Sequence, residues 1–113
     1  MSDEITLLVE SKISDGKRGD LLEVVARLKR HVAATEPDTL RYDWFIDAEG
    51  KTARVVEVYA SSEAVIFHGQ NYASFAKELA DLRTVVSLSV CGMPSKALAE
   101  AFGARGAGFF GPV

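Results

Sequence analysis

The sequence predicts an α+β fold of the ferredoxin-like, split βαβ type, an antiparallel four-stranded sheet carrying two helices on one face. Three observations predict it. Apolar residues alternate with a period of two in four stretches and follow a helical period in two longer ones, in the order strand, helix, strand, strand, helix, strand. Turn signals at Ser14–Lys17 and Asp47–Lys51 separate these stretches. The 113 residues, 48% hydrophobic and 26% charged, suit one globular domain that builds a core without disulfides.

Each element has its own signature. Ile5, Leu7 and Val9 alternate with Thr6, Leu8 and Glu10, a strand with one strongly apolar face. From Gly19 the period turns helical: Leu21, Leu22, Val25, Leu28 and Val32 recur in steps of three and four, with Arg27, Lys29 and Arg30 on the wet flank. Asp20 is placed to cap this helix and Pro37 stops it, giving a span of 19–35. Leu40, Tyr42, Trp44 and Ile46 share one face of a second strand, opposite Arg41, Asp43 and Phe45. After a hairpin loop in which Gly50 can turn left-handed, Thr52 to Ala60 sets Val55, Glu57 and Tyr59 against Arg54, Val56 and Val58. Ser61 or Ser62 then caps a helical zone carrying Ala64, Phe67, His68, Tyr72, Phe75, Leu79 and Leu82; Gly69 is expected to interrupt it, with Asn71 recapping the second piece. Thr84 to Cys91 closes the pattern as a β-branched strand with Ser87 and Ser89 in alternation.

Leu8, Phe45, Val56 and Val58 make the second face of this sheet apolar as well, so a face-to-face homodimer is expected to cover it. Residues 1–93 form this domain and 94–113 an extension. In the extension, Pro94 and Ser95 start a short helix with Leu98 and Phe102 four apart, and four glycines make the end irregular. Phe109 and Phe110 are too apolar for a free terminus and are expected to dock on their own or a partner subunit.

Charge and cysteine content exclude several classes. Thirteen basic against sixteen acidic residues give a net charge of -3, the wrong sign for a nucleic-acid or anionic-membrane binder. The single Cys91 has no disulfide partner and no neighbour at metal-ligand spacing, and reads as a small core residue. No apolar run approaches the roughly 20 residues of a membrane helix, and MSDEITLLVESK lacks a signal peptide's basic start, so the cytoplasm is the expected compartment. Phosphate loops, nucleophile elbows and metal-ligand clusters have no counterpart, so no metal or other cofactor is expected.

The candidate chemistry centres on His68, a neutral imidazole able to take a proton from a phenolic substrate. Its competing role is a hydrogen bond to Glu57 or a backbone carbonyl. Glu57 could orient the imidazole, pair with Arg41 or Arg54 across the strands or with Arg83, or form a buried salt bridge at the dimer interface. Tyr59, Trp44 and Tyr72 could flank a planar ring, while Phe67 and Phe75 fit a core layer. Asn71 or Arg83 could hold a developing oxyanion, Asn71 having the competing role of a helix cap. His31, among Lys29 and Arg30, reads as solvated.

The run Val56-Glu57-Val58-Tyr59-Ala60-Ser61-Ser62-Glu63-Ala64, followed by His68, resembles the antibiotic biosynthesis monooxygenase family, as does Glu36-Pro37 followed by Leu40-Arg41-Tyr42. The resemblance spans residues 4–91 in element order. It implies a dimeric α+β barrel and, from several members, cofactor-free oxidation of quinols or aromatic polyketides by O2. The haem-degrading relatives carry an Asn on the first strand and a Trp near the second helix. Here the first strand has no Asn and Trp44 lies on the second strand, so that branch does not fit. The expected function is thus a cofactor-independent monooxygenase taking a small quinol or polycyclic phenol. The rivals are a non-catalytic dimeric ligand-binding or stress-response module and an interaction domain attached through Phe109 and Phe110.

Overall fold

The computed structural model describes residues 3–113. Its elements are β1 (Ile5–Ile13), α1 (Arg18–Thr35), β2 (Thr39–Ile46), β3 (Thr52–Tyr59), α2 (Ser62–Leu82), β4 (Arg83–Cys91), α3 (Lys96–Gly103) and β5 (Gly108–Phe110). The strands form one sheet in the order β2-β3-β1-β4-β5. The first four are antiparallel to their neighbours, as expected, but β5 pairs parallel to β4, so the sheet is five-stranded and mixed.

The extra strand answers a local need. Without it β4 would be an open edge, and the extension supplies a strand that covers it. Gly92 makes the connection possible: its φ is +126°, and a Cβ there would lie 2.8 Å from the Glu4 carbonyl oxygen. The Gly92 N–H donates to the Phe110 carbonyl at 2.9 Å, which fastens the end of β5 beside β4. The extension therefore docks on its own subunit. Ser95 caps α3 by accepting the Leu98 N–H at 3.2 Å, and Leu98 is fully buried.

Two apolar clusters hold the layers together. One joins α1, through Leu21, Val24, Val25, Leu28 and Val32, to Ile13, Ala53 and the end of α2. The other joins Ile5, Leu7, Tyr59 and Val90 to Val65 of α2 and Leu98 of α3. Burying each such side chain contributes about 1.5–3 kcal/mol, which offsets the ordering of the chain.

Several local expectations change. Leu22 is exposed, Val24 taking its place on the inner face of α1. Asp20 lies in the first turn of α1 rather than at its cap, which is Lys17. Helix α2 runs unbroken through Gly69 and Asn71: a mid-helix glycine costs about 1 kcal/mol, and burial on both sides of it outweighs that. Leu40 is a bulge residue, skipped between the Thr39–Tyr59 and Arg41–Val58 pairs, and is 57% exposed instead of sharing a face with Tyr42. Phe67 points away from the core at 47% exposure, whereas Phe75 packs against the first cluster. Cys91 alternates with buried Val90 and lies on the outer face, so it is not a core residue. That outer face is apolar, with Leu8, Phe45 and Val86 exposed on it.

Candidate functional site

A cavity of about 370 Å³ opens between the inner face of the sheet, the middle of α2 and the α3 segment. Leu7 and Val9 of β1, Tyr42 and Trp44 of β2 and Glu57 of β3 form its floor. Helix α2 contributes Val65, His68 and Tyr72, and α3 contributes Ala101 and Phe102, followed by Arg105. A bulge at Val86, skipped between the Glu10–Ser87 and Ser11–Val85 pairs, re-aims β4 so that Arg83, Val85 and Leu88 all reach the cavity.

His68 lines this cavity and is buried, and each ring nitrogen has a carboxylate neighbour. Nδ1 lies 2.9 and 3.1 Å from the two oxygens of Glu36, while Nε2 is 3.8 Å from Glu57 Oε1. With Glu36 as acceptor, Nδ1 is the donor and Nε2 lies on the Glu57 side of the ring. Glu36 is fixed in turn: Thr39 Oγ1 donates to Oε1 at 2.7 Å and Asn71 Nδ2 donates to Oε2 at 2.7 Å. Asn71 Oδ1 accepts from His31 Nε2 at 2.6 Å, so His31 is tied into this network and is not a solvated residue.

Glu36 owes its position to the end of α1. It is the C-cap residue, its N–H bonded to the Val32 carbonyl at 2.9 Å, and Pro37 forces the chain out of the helix just beyond it. The carboxylate then reaches under α2, where His68 and Asn71, three residues apart, share the inward face. The two carboxylates sit on opposite sides of the imidazole instead of converging on one point. Among the described residues no group of three or more His, Cys, Asp or Glu side chains is arranged to hold a metal ion.

Burial sets the electrostatics. It pushes the Glu57 carboxyl above its ordinary range, against the pull of His68, of the Tyr59 hydrogen bond, and of Arg83 and Arg105. Tyr59 Oη donates to Glu57 Oε1 at 2.5 Å. Both Tyr42 and Tyr59 are raised above the usual phenol range, first by burial and then by the Glu57 charge, and so remain hydrogen-bond donors. Arg83 donates to Ser11 Oγ at 2.7 Å and to Tyr72 Oη at 3.1 Å, and lies 5.1 Å from the Trp44 ring. Trp44 Nε1 is buried without a hydrogen-bond partner among the described residues.

Of the residues singled out in the sequence, His68, Glu57, Trp44, Tyr72 and Arg83 meet in this cavity. Tyr59 stands behind Glu57, fully buried with its ring 5.5 Å from that of His68, and does not line the cavity. Asn71 neither caps a helix nor faces the cavity; it holds Glu36. The expected pairing of Glu57 with Arg41 or Arg54 does not form, because those cations point outward to Asp43 and Glu10. Sequence reasoning missed Glu36 as a site residue, 32 positions from His68. Its one sequence signal was the Glu36-Pro37 step, which marks a helix end and says nothing of what that end touches. The α3 residues were likewise not expected at the site, whereas Tyr42 lines it beside Trp44 as their shared strand face implies.

The raised Glu57 carboxyl makes a stability prediction. As pH rises past the ordinary glutamate value of 4.5, the unfolded chain gives up this proton while the folded protein retains it. Folding is therefore increasingly disfavoured from that point up to the folded-state value. Glu57→Gln removes the effect while keeping an acceptor for Tyr59. Its melting temperature should match the parent's near pH 4 and exceed it at pH 7; a variant relatively less stable at pH 7 would contradict the assignment.

Known proteins agree with this architecture. Residues 4–78 match the family model for antibiotic biosynthesis monooxygenases. No curated protein matches the sequence. The crystal structure of MupZ from Pseudomonas fluorescens superposes with a TM-score of 0.89 at 19% identity, over 100% of this chain and 88% of that one. SnoaB from Streptomyces nogalater, a cofactor-independent oxygenase, gives 0.70 at 16% identity, over 84% and 97%. A protein from Caulobacter crescentus gives 0.68 at 22% identity, over 79% and 86%. At these identities the likeness is one of fold, while the model match spans most of the sequence. The chain belongs to the antibiotic biosynthesis monooxygenase family.

Proposed function

We propose that the protein is a cytoplasmic, cofactor-independent oxygenase that takes a small quinol or polycyclic phenol into this cavity. The observation that carries the reading is His68, its Nδ1 held by Glu36 and its Nε2 on the cavity side beside Glu57. The fold shared with SnoaB, a cofactor-independent oxygenase, supports it.

In this reading His68 Nε2 takes the phenolic proton, and Glu36 stabilises the resulting imidazolium. The substrate anion transfers an electron to O2, the radical pair recombines as a peroxide, and loss of water leaves a quinone. One oxygen atom enters the ring and the other departs as water with the two hydrogens that the substrate loses. The Tyr42 phenol and the Arg83 guanidinium face the same space and can stabilise the anion. Trp44 and Tyr72 supply flat apolar surface for the ring.

Oxygen uptake by the purified protein against a panel of hydroquinones and anthrone-like phenols tests this. One O2 consumed per quinone formed, lost in His68→Gln, is the expected result. Ligands that perturb Trp44 emission without any oxygen uptake would instead favour the binding-module reading. The same proposal includes a homodimer, since Leu8, Phe45 and Val86 leave the outer sheet face apolar and exposed. Size-exclusion chromatography with light scattering should report twice the chain mass, and a stable monomer at micromolar concentration would refute the dimer.

A further inference from the structure

We propose that the cavity selects aromatic compounds bearing a carboxylate, and that Arg105 is the residue that receives it. The inference rests on reading this cavity as the substrate site, and it names a substrate class within that reading.

The first argument is that the Arg105 guanidinium stands at the cavity with no carboxylate at ion-pair distance among the described residues, Glu57 acting on it only through space. Arg27, Arg41 and Arg54 are ion-paired to Glu78, Asp43 and Glu10, and Arg83 is occupied by Ser11, Tyr72 and the Trp44 face. Arg105 lines the cavity, yet its guanidinium makes no hydrogen bond or ion pair among the described residues. It stacks instead on Phe102, 4.7 Å from the ring centroid.

That placement is built by the backbone. The Arg105 N–H donates to the Phe102 carbonyl at 3.0 Å and the Gly106 N–H to the Gly103 carbonyl at 3.0 Å, closing a turn at the end of α3. Leu98 anchors the same helix in the core. The backbone that carries Arg105 is therefore fixed, and its side chain rests on the Phe102 ring.

The second argument is the charge and polarity of the walls. Leu7, Val65 and Phe102 give the cavity apolar walls for a ring, while Arg105 stands at its solvent-exposed side. Arg83 adds a second positive charge. The opposing groups are Glu57 and Glu36: Glu57 accepts from the Tyr59 hydroxyl at the buried floor, and Glu36 is engaged behind the His68 ring. A ligand carrying a ring for Trp44 and Tyr72 and a carboxylate for Arg105 satisfies the groups that the protein leaves open.

Titration with naphthalene-2-carboxylate and with its carboxamide, under nitrogen and followed by calorimetry and Trp44 emission, tests the proposal. The acid should bind about two- to fivefold more tightly than the amide, the scale of a solvent-exposed ion pair. Arg105→Gln should bring the ratio to about one, and Arg105→Lys should keep part of it. Because Arg105 is exposed, both variants should fold, which far-UV circular dichroism checks. Equal affinities for acid and amide, a preference that survives Arg105→Gln, or no binding of the acid would each overturn the inference. No turnover is needed, so a failed oxygen-uptake assay would count against the oxygenase reading alone.

Discussion

Replacing His68 with alanine should lower turnover of a phenolic substrate by about 10²–10⁴-fold, the contribution of a positioned general base. The protein should remain folded. Glu36 keeps its hydrogen bonds from Thr39 and Asn71 when the imidazole is removed, so the buried carboxylate is not left bare. His68→Gln offers a second variant that retains a polar side chain but cannot act as a base, and it should lose activity to a similar extent. Glu36→Gln keeps an acceptor for Nδ1–H and removes the charge that stabilises the imidazolium. It should cost less and displace the pH–rate profile. Steady-state oxygen uptake together with thermal melts separates chemistry from unfolding. Undiminished turnover in a folded His68→Ala protein would remove the histidine from the mechanism.

Leu98→Ala should destabilise the protein by about 2–5 kcal/mol, the usual cost of a large-to-small change at a fully buried position. Typical domains have only about 5–15 kcal/mol in total. The site is unforgiving because Leu98 packs with Ile5, Tyr59, Val65 and Val90, drawn from three strands and helix α2. The same change should loosen α3 and withdraw Phe102 and Arg105 from the cavity wall, weakening binding of an aromatic acid even where the variant is still folded. Urea unfolding gives the first quantity and Trp44 emission the second. A loss below about 1 kcal/mol would mean that α3 is a passive appendage.

The parts of the fold that were legible in the sequence are those governed by local period and by turn chemistry. The alternation through Ile5, Leu7 and Val9 and the three- and four-residue steps from Leu21 to Val32 reflect which face of an element is buried, and this is encoded within the element itself. Gly50, with φ +72°, likewise carries its hairpin loop in its own lack of a Cβ. The places where local reading failed are those where a neighbour overrides propensity. Gly69 and Asn71 look like a helix break, but packing on both sides carries α2 through them. Leu40 looks like the next member of an alternating face, but a bulge against β3 turns it outward. The extension looks irregular because a three-residue strand has too few residues for a period, and only the free edge of β4 gives it a partner.

The candidate site divides along the same line. From the sequence alone came the residue types able to do acid–base chemistry on a ring, His68 and Glu57 with Trp44, Tyr72 and Arg83, because each stands on the inward face of a recognisable element. What only the tertiary structure decided was the company they keep. Glu36 as the partner of Nδ1, Asn71 as its support, and Arg105 at the cavity wall are contacts between elements distant in the chain. Spacing within one element determines which way a side chain faces. Which charge it meets there depends on how helices and strands pack, and side-chain period carries no record of that.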